Sequence, residues 1–408
     1  MNRMDEVKID KPFLDWLISI RRYFHQNPEL SFRETGSQRK IMEYLDKLGI
    51  DNRPIAGTGV IGTIAGAGKG KTVALRTDMD ALKIDEVQTA ANISYISENK
   101  GAMHACGHDG HMAMVLGAAR LLQENKEKLN GYVRLIFQPA EEVPPGGAVK
   151  IIDDGGLDGV DAIIGIHLFT RYQTGEFILK EGAMMAGNCR YDLEITGRSG
   201  HHGNLNATID PLLMASEFIT SIRPALSEAL PSKSQYVFGF GVVKGGEQFN
   251  QVPDNVRLSG SYRALDPEHL QQIGHIIRQV LDPLVMKYKK NPEDSLPTYK
   301  LAITQGYPVL VNDPVFTRGV ARLLKTKFNA VIEDIEPVLA SEDFARYLEK
   351  RPGTFLFLGA GNRGKGIVHE NHSSRFDIDE NALVNGVRAF LVIVKDFLDF
   401  PDKYINNQ

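Results

Sequence analysis

The sequence predicts an α/β fold: a mostly parallel sheet flanked by helices, with a smaller α+β unit inserted into it. Three observations predict this. Short apolar runs at Gly59–Ile64, Thr72–Arg76, Tyr132–Phe137, Ala162–Ile166 and Thr354–Gly359 alternate with segments of helical spacing. Residues from about Asn188 to Gln305 read strand, helix, strand, strand, helix, strand, the ferredoxin-like order, complete in itself. At 408 residues the chain is also too long for one small core, which makes two domains the natural expectation.

The elements follow in order. Phe13, Leu14, Trp16, Leu17, Ile20 and Phe24 recur at helical spacing over Pro12–Gln26, and Asn27-Pro28 breaks that helix. A second helix is expected over Thr35–Leu48, with Gly49 as its stop. Glu29 and Glu34, in the connecting turn, read as solvated charges. The Thr72–Arg76 strand leads into Thr77-Asp78-Met79-Asp80, the Tyr132–Phe137 strand into Gln138-Pro139-Ala140-Glu141-Glu142, and the Ala162–Ile166 strand ends at His167. Met112–Leu122 reads as a helix. Within the insertion, Arg190–Thr196, Tyr236–Val243, Val256–Ala264 and Thr298–Thr304 are strands, and Pro211–Leu226 and Pro267–Tyr288 are helices. Glu380–Phe397 is a closing amphipathic helix. The expected division is 1–186 with 306–408 for the α/β domain and 187–305 for the insertion.

Composition excludes several classes. The chain is 42% hydrophobic and 24% charged with a net charge of −4, which argues against nucleic-acid binding. Two cysteines cannot build a disulfide framework and point to a reducing compartment. The N-terminus, Met1-Asn-Arg-Met-Asp-Glu, lacks the apolar core of a secretion signal, and no window approaches an uninterrupted membrane span. A cytoplasmic protein without a membrane partner is expected.

Chemistry concentrates in His104-Ala-Cys-Gly-His-Asp-Gly-His111, which holds three of the eleven histidines and one of the two cysteines. Thiolate and imidazole packed this densely suit a transition metal. Cys106 and His108 can meet one ion only if the chain turns, and Gly107 supplies the turn. In open α/β sheets the carboxyl ends of strands converge on one crevice. Asp78, Asp80, Glu141, Glu142 and His167 therefore come within reach of the cluster. His372, in His369-Glu-Asn-His-Ser-Ser-Arg-Phe-Asp, is a further candidate, and spacing alone does not choose between it and His369. Cys106, His108, Glu142, His167 and His372 exceed what one tetrahedral zinc takes from a protein, so two ions sharing a bridging ligand are expected, about 3.5–4 Å apart. Of the adjacent glutamates, Glu142 suits the metal and Glu141 suits general-base work.

The runs Arg76-Thr-Asp-Met-Asp-Ala-Leu, His104-Ala-Cys-Gly-His-Asp-Gly-His, Gln138-Pro-Ala-Glu-Glu, Gly165-Ile-His-Leu, Gly197-Arg-Ser-Gly-His and His372 followed by Arg375-Phe-Asp resemble the metallopeptidase M20 family. They resemble in particular its branch of amidohydrolases that cleave N-acylated amino acids. The resemblance covers nearly the whole chain in order. It implies that Cys106, His108, Glu142, His167 and His372 are metal ligands, with Cys106 the bridge, and that Glu141 is the general base. Asp80 matches the acidic residue that orients a metal-bound histidine. The insertion matches a lid that also makes the dimer. His201 matches a lid histidine that stabilises the oxyanion in the other subunit's site, and Asn250 and Arg263 match lid groups for the substrate's amide and carboxylate. The implied activity is hydrolysis of an N-acetyl or N-benzoyl amino acid by two divalent ions per subunit (Mn, Zn, Co or Ni) in a homodimer or higher homo-oligomer. A dipeptidase or carboxypeptidase on the same scaffold, or a catalytically silent metal-binding relative, is the alternative. Lys83, Val143-Pro144-Pro145, Leu205, Asn206 and Ser374 depart from the family pattern at lid and rim positions, where substrate choice is made.

Overall fold

A computed structural model describes residues 9–405 apart from positions 90, 292 and 329. The N-terminal segment on which the secretion-signal reading rests lies outside the described residues. The chain divides into two compact units, one of Met1–Met184, Val311–Glu336 and Asp343–Gln408, the other of Met185–Leu310 with Pro337–Glu342. The sequence reading left Pro337–Glu342 with the first unit. Backbone bonds attach it to the second: Ala186 N–H donates to the carbonyls of Val338 and Ala340, at 3.0 and 2.9 Å.

The first unit is built on an eight-stranded sheet. Its parallel centre runs Tyr132–Gln138, Thr72–Asp78, Ala162–Gln173, Gly353–Gly361. Gly59–Ala65 and Asp51–Ile55 extend one side antiparallel. On the other side Phe177–Ile178 lies antiparallel to Gly353–Gly361, and Val331–Ile332 completes the sheet. The central strands Thr72–Asp78 and Gly353–Gly361 are buried almost throughout, as parallel strands covered on both faces must be. Their apolar runs reflect that double burial rather than alternation.

Helices Lys11–Gln26, His108–Glu124 and Asn381–Asp399 share one hydrophobic core with this sheet. Asn381–Asp399 alone buries Leu383, Val387, Phe390, Ile393, Val394 and Phe397, each contributing about 1.5–3 kcal/mol on burial. Several helices start on one device: Asp210, Asp266 and Asp313 accept backbone N–H bonds as caps, and a proline follows each.

Three expectations need correction. Glu29 and Glu34 are not free surface charges. Glu29 accepts from Gly36 and Ser37 N–H (3.0 and 2.7 Å), satisfying the open donors of the Thr35–Lys47 helix, and Glu34 is fully buried. The third strand of the parallel centre does not end at His167 but continues to Gln173, paired with Gly353–Gly361. The helix expected from Met112 begins at His108, because Gly107 adopts a left-handed φ of 88° and turns the chain directly into it.

The second unit has a four-stranded antiparallel sheet in the order Tyr236–Gly245, Asn255–Ala264, Gly187–Thr196, Thr298–Gln305. Helices Pro211–Ala229 and Pro267–Tyr288 share its core. Strand and helix order match the ferredoxin-like expectation, with a small pairing of Gly200–His201 to Gln251–Val252 added.

Helix packing in the first unit leaves no room at Gly117. A Cβ there would lie 2.7 Å from Val387 and 2.8 Å from Leu17. Gly117→Val is therefore expected to destabilise the protein by about 1–3 kcal/mol, read as a lowered denaturant midpoint at unchanged slope.

Candidate metal centre

The centre is assembled from strand ends. Asp78 pairs in register with Gln138 across two parallel strands, so Asp80 and the Glu141-Glu142 pair emerge side by side. The Asp80 carboxylate accepts from the backbone N–H of Glu141 and of Glu142, each at 3.0 Å, and from the Ser31 hydroxyl at 2.7 Å. Glu34 supports the same loop, accepting from Ala140 N–H at 2.8 Å and from the Thr58 hydroxyl at 2.6 Å. It holds Ala140 at a φ of 52°, a conformation that side chains other than glycine rarely adopt.

Cys106 and His108 flank Gly107 at the start of the His108–Glu124 helix. The loop bearing His372 is tied onto them: His372 N–H donates to Ala105 O at 2.7 Å, and Asn371 Nδ2 donates to the carbonyls of Cys106 and Leu168. His372 itself has a φ of 69°.

These constraints bring five of the predicted side chains together. Cys106 Sγ lies 3.5 Å from His167 Nε2 and 3.2 Å from His372 Nε2. Glu142 Oε1 lies 3.4 Å from His372 Nε2 and 3.8 Å from His108 Nε2. Ligand atoms of Cys106, His108 and His167 fall within 4.8 Å of one another, and so do those of Cys106, Glu142 and His372. Cys106 belongs to both trios. His108, Glu141 and Glu142 form a third group of the same size. His369 joins no such group among the described residues; its carbonyl accepts from Thr170.

The donor atoms fit divalent cations. His108 Nδ1 lies 2.8 Å from Asp80 O and His167 Nδ1 3.0 Å from Leu168 O, so each ring donates there and turns its Nε2 lone pair inward. His108 Nε2 and Glu142 Oε1 are buried without a hydrogen-bond partner among the described residues. Such orphaned acceptors are costly unless a cation meets them. Burial pushes the Cys106 thiol well up, and Glu142, Glu141 and Asp78 push it further. Burial acts to lower His108, but Asp78, Asp80 and Glu142 outweigh it and lift it to about 10. A carboxylate-rich pocket that punishes a bare thiolate is the setting in which a bound cation reverses the balance.

Asp78, His108 and His111 form a further group of the same size, but His111 is already engaged within the protein. Its Nδ1 lies 2.7 Å from Asp78 Oδ1, and its Nε2 accepts from Leu168 N–H at 2.8 Å, so both nitrogens are engaged.

A family model, Peptidase family M20/M25/M40, matches residues 74–396. The chain belongs to this family. It is 37% identical to thermostable carboxypeptidase 2 of Saccharolobus solfataricus over 401 residues, covering 97% of this chain and 99% of that one. It is 38% identical to N-acetyl-L-cysteine deacetylase of Bacillus subtilis over 384 residues, covering 94% and 88%. The crystal structure of the Bacillus subtilis YXEP protein, described as a dinuclear metal binding peptidase from the M20 family, superposes with a TM-score of 0.83 at 32% identity, covering 96% and 99%. This chain is a metal-dependent M20 amidohydrolase or peptidase, and its clustered ligands suit two divalent ions.

The remaining predicted residues of this M20 chain lie in the second unit. His201 is exposed, its Nδ1 accepting from Gly203 N–H at 3.0 Å. The Asn250 carbonyl accepts from His202 N–H at 3.0 Å. Arg263 sits on an interior strand, and its Nη1 donates to Leu339 O at 2.7 Å.

Sequence reasoning missed a buried charge network behind the ligands. Arg21 and Asp109 are fully buried and joined at 2.7 Å. His25 places Nδ1 2.8 Å from Asp109 Oδ2 and Nε2 3.0 Å from Glu86 Oε1. The signal was available: Arg21 and His25 fall on the same helical face as Phe13, Leu17, Ile20 and Phe24. Among the described residues no helix is long and apolar enough to cross a membrane.

Burial and Arg21 oppose protonation of His25, yet Asp109 and Glu86 win and raise its pKa. A raised folded value stabilises below the unfolded pKa of about 6.5, and that contribution is lost as pH climbs through the folded value. The gap in thermal midpoint between the metal-free wild type and His25→Gln should be widest near pH 6 and narrow toward pH 9. A gap independent of pH would exclude a buried imidazolium.

Proposed function

We propose that the protein hydrolyses the amide bond of an N-acyl amino acid, releasing a carboxylic acid and an amino acid. The observation that carries the reading is Cys106 shared between two ligand trios, with Glu141 adjoining the Glu142 trio and both glutamate backbones held by one carboxylate. In this reading Cys106, His108 and His167 hold one ion, and Cys106, Glu142 and His372 hold the other. The ions are Mn, Zn, Co or Ni, since thiolate, imidazole and carboxylate accept all of these. When bound, they supply Lewis-acid polarisation of the scissile carbonyl and a lowered pKa for the attacking water.

The chain's own work is proton transfer and placement. Glu141, 6% exposed, takes the proton from water as the water oxygen joins the acyl carbon, then passes it to the amine nitrogen as the carbon–nitrogen bond breaks. Asp80 keeps Glu141 and Glu142 in register for that transfer. Substrate recognition is assigned to the second unit, with Asn250 for the amide and Arg263 for the carboxylate. His201 of the partner subunit stabilises the oxyanion.

A homodimer built through that unit is supported by its sheet edge. Tyr236–Gly245 is an outermost strand with Val237, Val242 and Val243 exposed, a long apolar edge of the kind that pairs with another chain. Two free, buried cysteines fit a reducing, cytoplasmic setting.

Glu141→Gln is expected to retain metal by elemental analysis while kcat falls by about 10²–10⁴. Turnover at the wild-type rate would remove Glu141 as the base. The S. solfataricus relative is named a carboxypeptidase, which gives the second reading its footing. A panel of N-acetyl and N-benzoyl amino acids against dipeptides, after reconstitution with each metal, separates the two. N-acyl amino acids are expected to show the higher kcat/KM, and a consistent preference for dipeptides would reverse the assignment.

A further inference from the structure

Arg21 occupies an unusual place. Its side chain is fully buried, and its guanidinium divides among carboxylates from two distant segments. Nε donates to Asp109 Oδ2 at 2.7 Å, Nη2 to Asp377 Oδ1 at 2.8 Å, and Nη1 lies 3.5 Å from Glu380 Oε1. Asp109 follows His108 directly in the first turn of its helix. Asp377 lies on the run that leads out of the His372 loop. One rigid fork therefore spans the two chain segments that carry His108 and His372.

The surroundings hold that fork in place. The Tyr95 hydroxyl donates to Asp377 Oδ2 at 2.7 Å, and its ring lies 4.9 Å from the Arg21 guanidinium carbon. Arg22 pairs with both oxygens of Glu380 at 2.8 Å. His25 shares Asp109 Oδ2 with Arg21.

Cohesion alone does not call for this arrangement. A buried ion pair is often no more stabilising than well-packed apolar side chains of similar volume, because desolvation offsets the attraction. What a planar guanidinium provides and an apolar side chain lacks is fixed direction: its donors set the distance and angle between the groups they bind. That property matters here because His372 Nε2 must stay close to Cys106 Sγ, 3.2 Å away, although its ring is half exposed and the loop's other ties are single hydrogen bonds without the direction of a fork.

We propose that Arg21 is a positioning residue of the metal centre, whose guanidinium fork fixes the His372 loop against the His108 helix and so sets the affinity for the ion held by Cys106, Glu142 and His372. The inference rests on the reading of His108 and His372 as ligands. It makes a distinction a purely structural role would not. Loosening the fork weakens one ion selectively, whereas a general loss of packing weakens both or unfolds the chain.

The test uses the full-length protein, stripped of metal and titrated with Co(II) alone. Stoichiometry and affinity come from equilibrium dialysis, the thiolate-to-cobalt absorption reports on Cys106, and the thermal midpoint of the metal-free protein reports on packing. Asp377→Ala removes the contact on the His372 side and leaves the Arg21–Asp109 pair intact. Arg21→Lys keeps the charge but loses the fork. In Asp377→Ala one of the two equivalents of Co(II) is expected to bind about 10–100-fold more weakly, with the other changed by less than about threefold and the cobalt absorption altered. Arg21→Lys should move the same way and further. If Arg21→Lys does not fold, Asp377→Ala decides.

A folded Asp377→Ala protein that binds both equivalents as the wild type does, with the same absorption, overturns the proposal. So does equal weakening of both ions. Wild-type protein that takes up no second equivalent would remove the binuclear reading itself, and the proposal with it. Two tight ions in both wild type and variant would remove the proposal alone.

Discussion

The centre depends on one carboxylate that is not itself placed to bind an ion. Asp80 accepts two backbone N–H bonds from Glu141 and Glu142 while its own carbonyl accepts from His108 Nδ1. A single residue thus sets the position of both glutamates and the inward lone pair of the histidine. Burial alone would raise the Asp80 pKa, but the bonds from His108 and Ser31 and from the Glu142 backbone hold it below the usual range.

Around this point the fold tolerates costs that a plain scaffold would avoid. Ala140 and His372 adopt left-handed backbone conformations, each costing on the order of 1–3 kcal/mol, one beside the proposed base and one at a proposed ligand. Cys106, Asp78, Asp80, Glu141 and Glu142 crowd together at the strand ends, and among the described residues His108 Nε2 and Glu142 Oε1 have no hydrogen-bond partner. The surrounding structure absorbs this through burial. The parallel sheet centre and the helices Lys11–Gln26, His108–Glu124 and Asn381–Asp399 form one continuous hydrophobic core, and its close packing leaves the strand ends little freedom.

The buried charges behind the site form a second level of constraint. Arg21, His25, Asp109, Glu86 and Asp377 join the first helix to the cysteine–histidine helix, the Glu86 loop and the His372 loop. Asp78 does similar work on the sheet side, where, against the effect of burial, His108, His111 and Arg76 hold it well below its ordinary pKa. Proposed ligands drawn from four separate segments need such ties, because an error of about 1 Å at one donor is enough to spoil a coordination site.

The amino-acid sequence by itself determined the element order, the inserted βαββαβ unit and the residue types of the centre. Period and punctuation are local properties, and Cys-Gly-His or Glu-Glu after a buried strand carries its chemistry in the spacing. Tertiary structure alone decided the rest. It set His372 Nε2 3.2 Å from Cys106 Sγ, while His369 joins no group of metal-ligating size among the described residues. It turned Glu29 and Glu34 from expected surface charges into acceptors for backbone N–H groups, since burial depends on what packs over a turn. It carried the His167 strand on to Gln173, because Gly353–Gly361 lies alongside to pair with it. And it engaged both nitrogens of His111 while leaving one of His108 open, a distinction set by neighbours distant in the chain that no local pattern encodes.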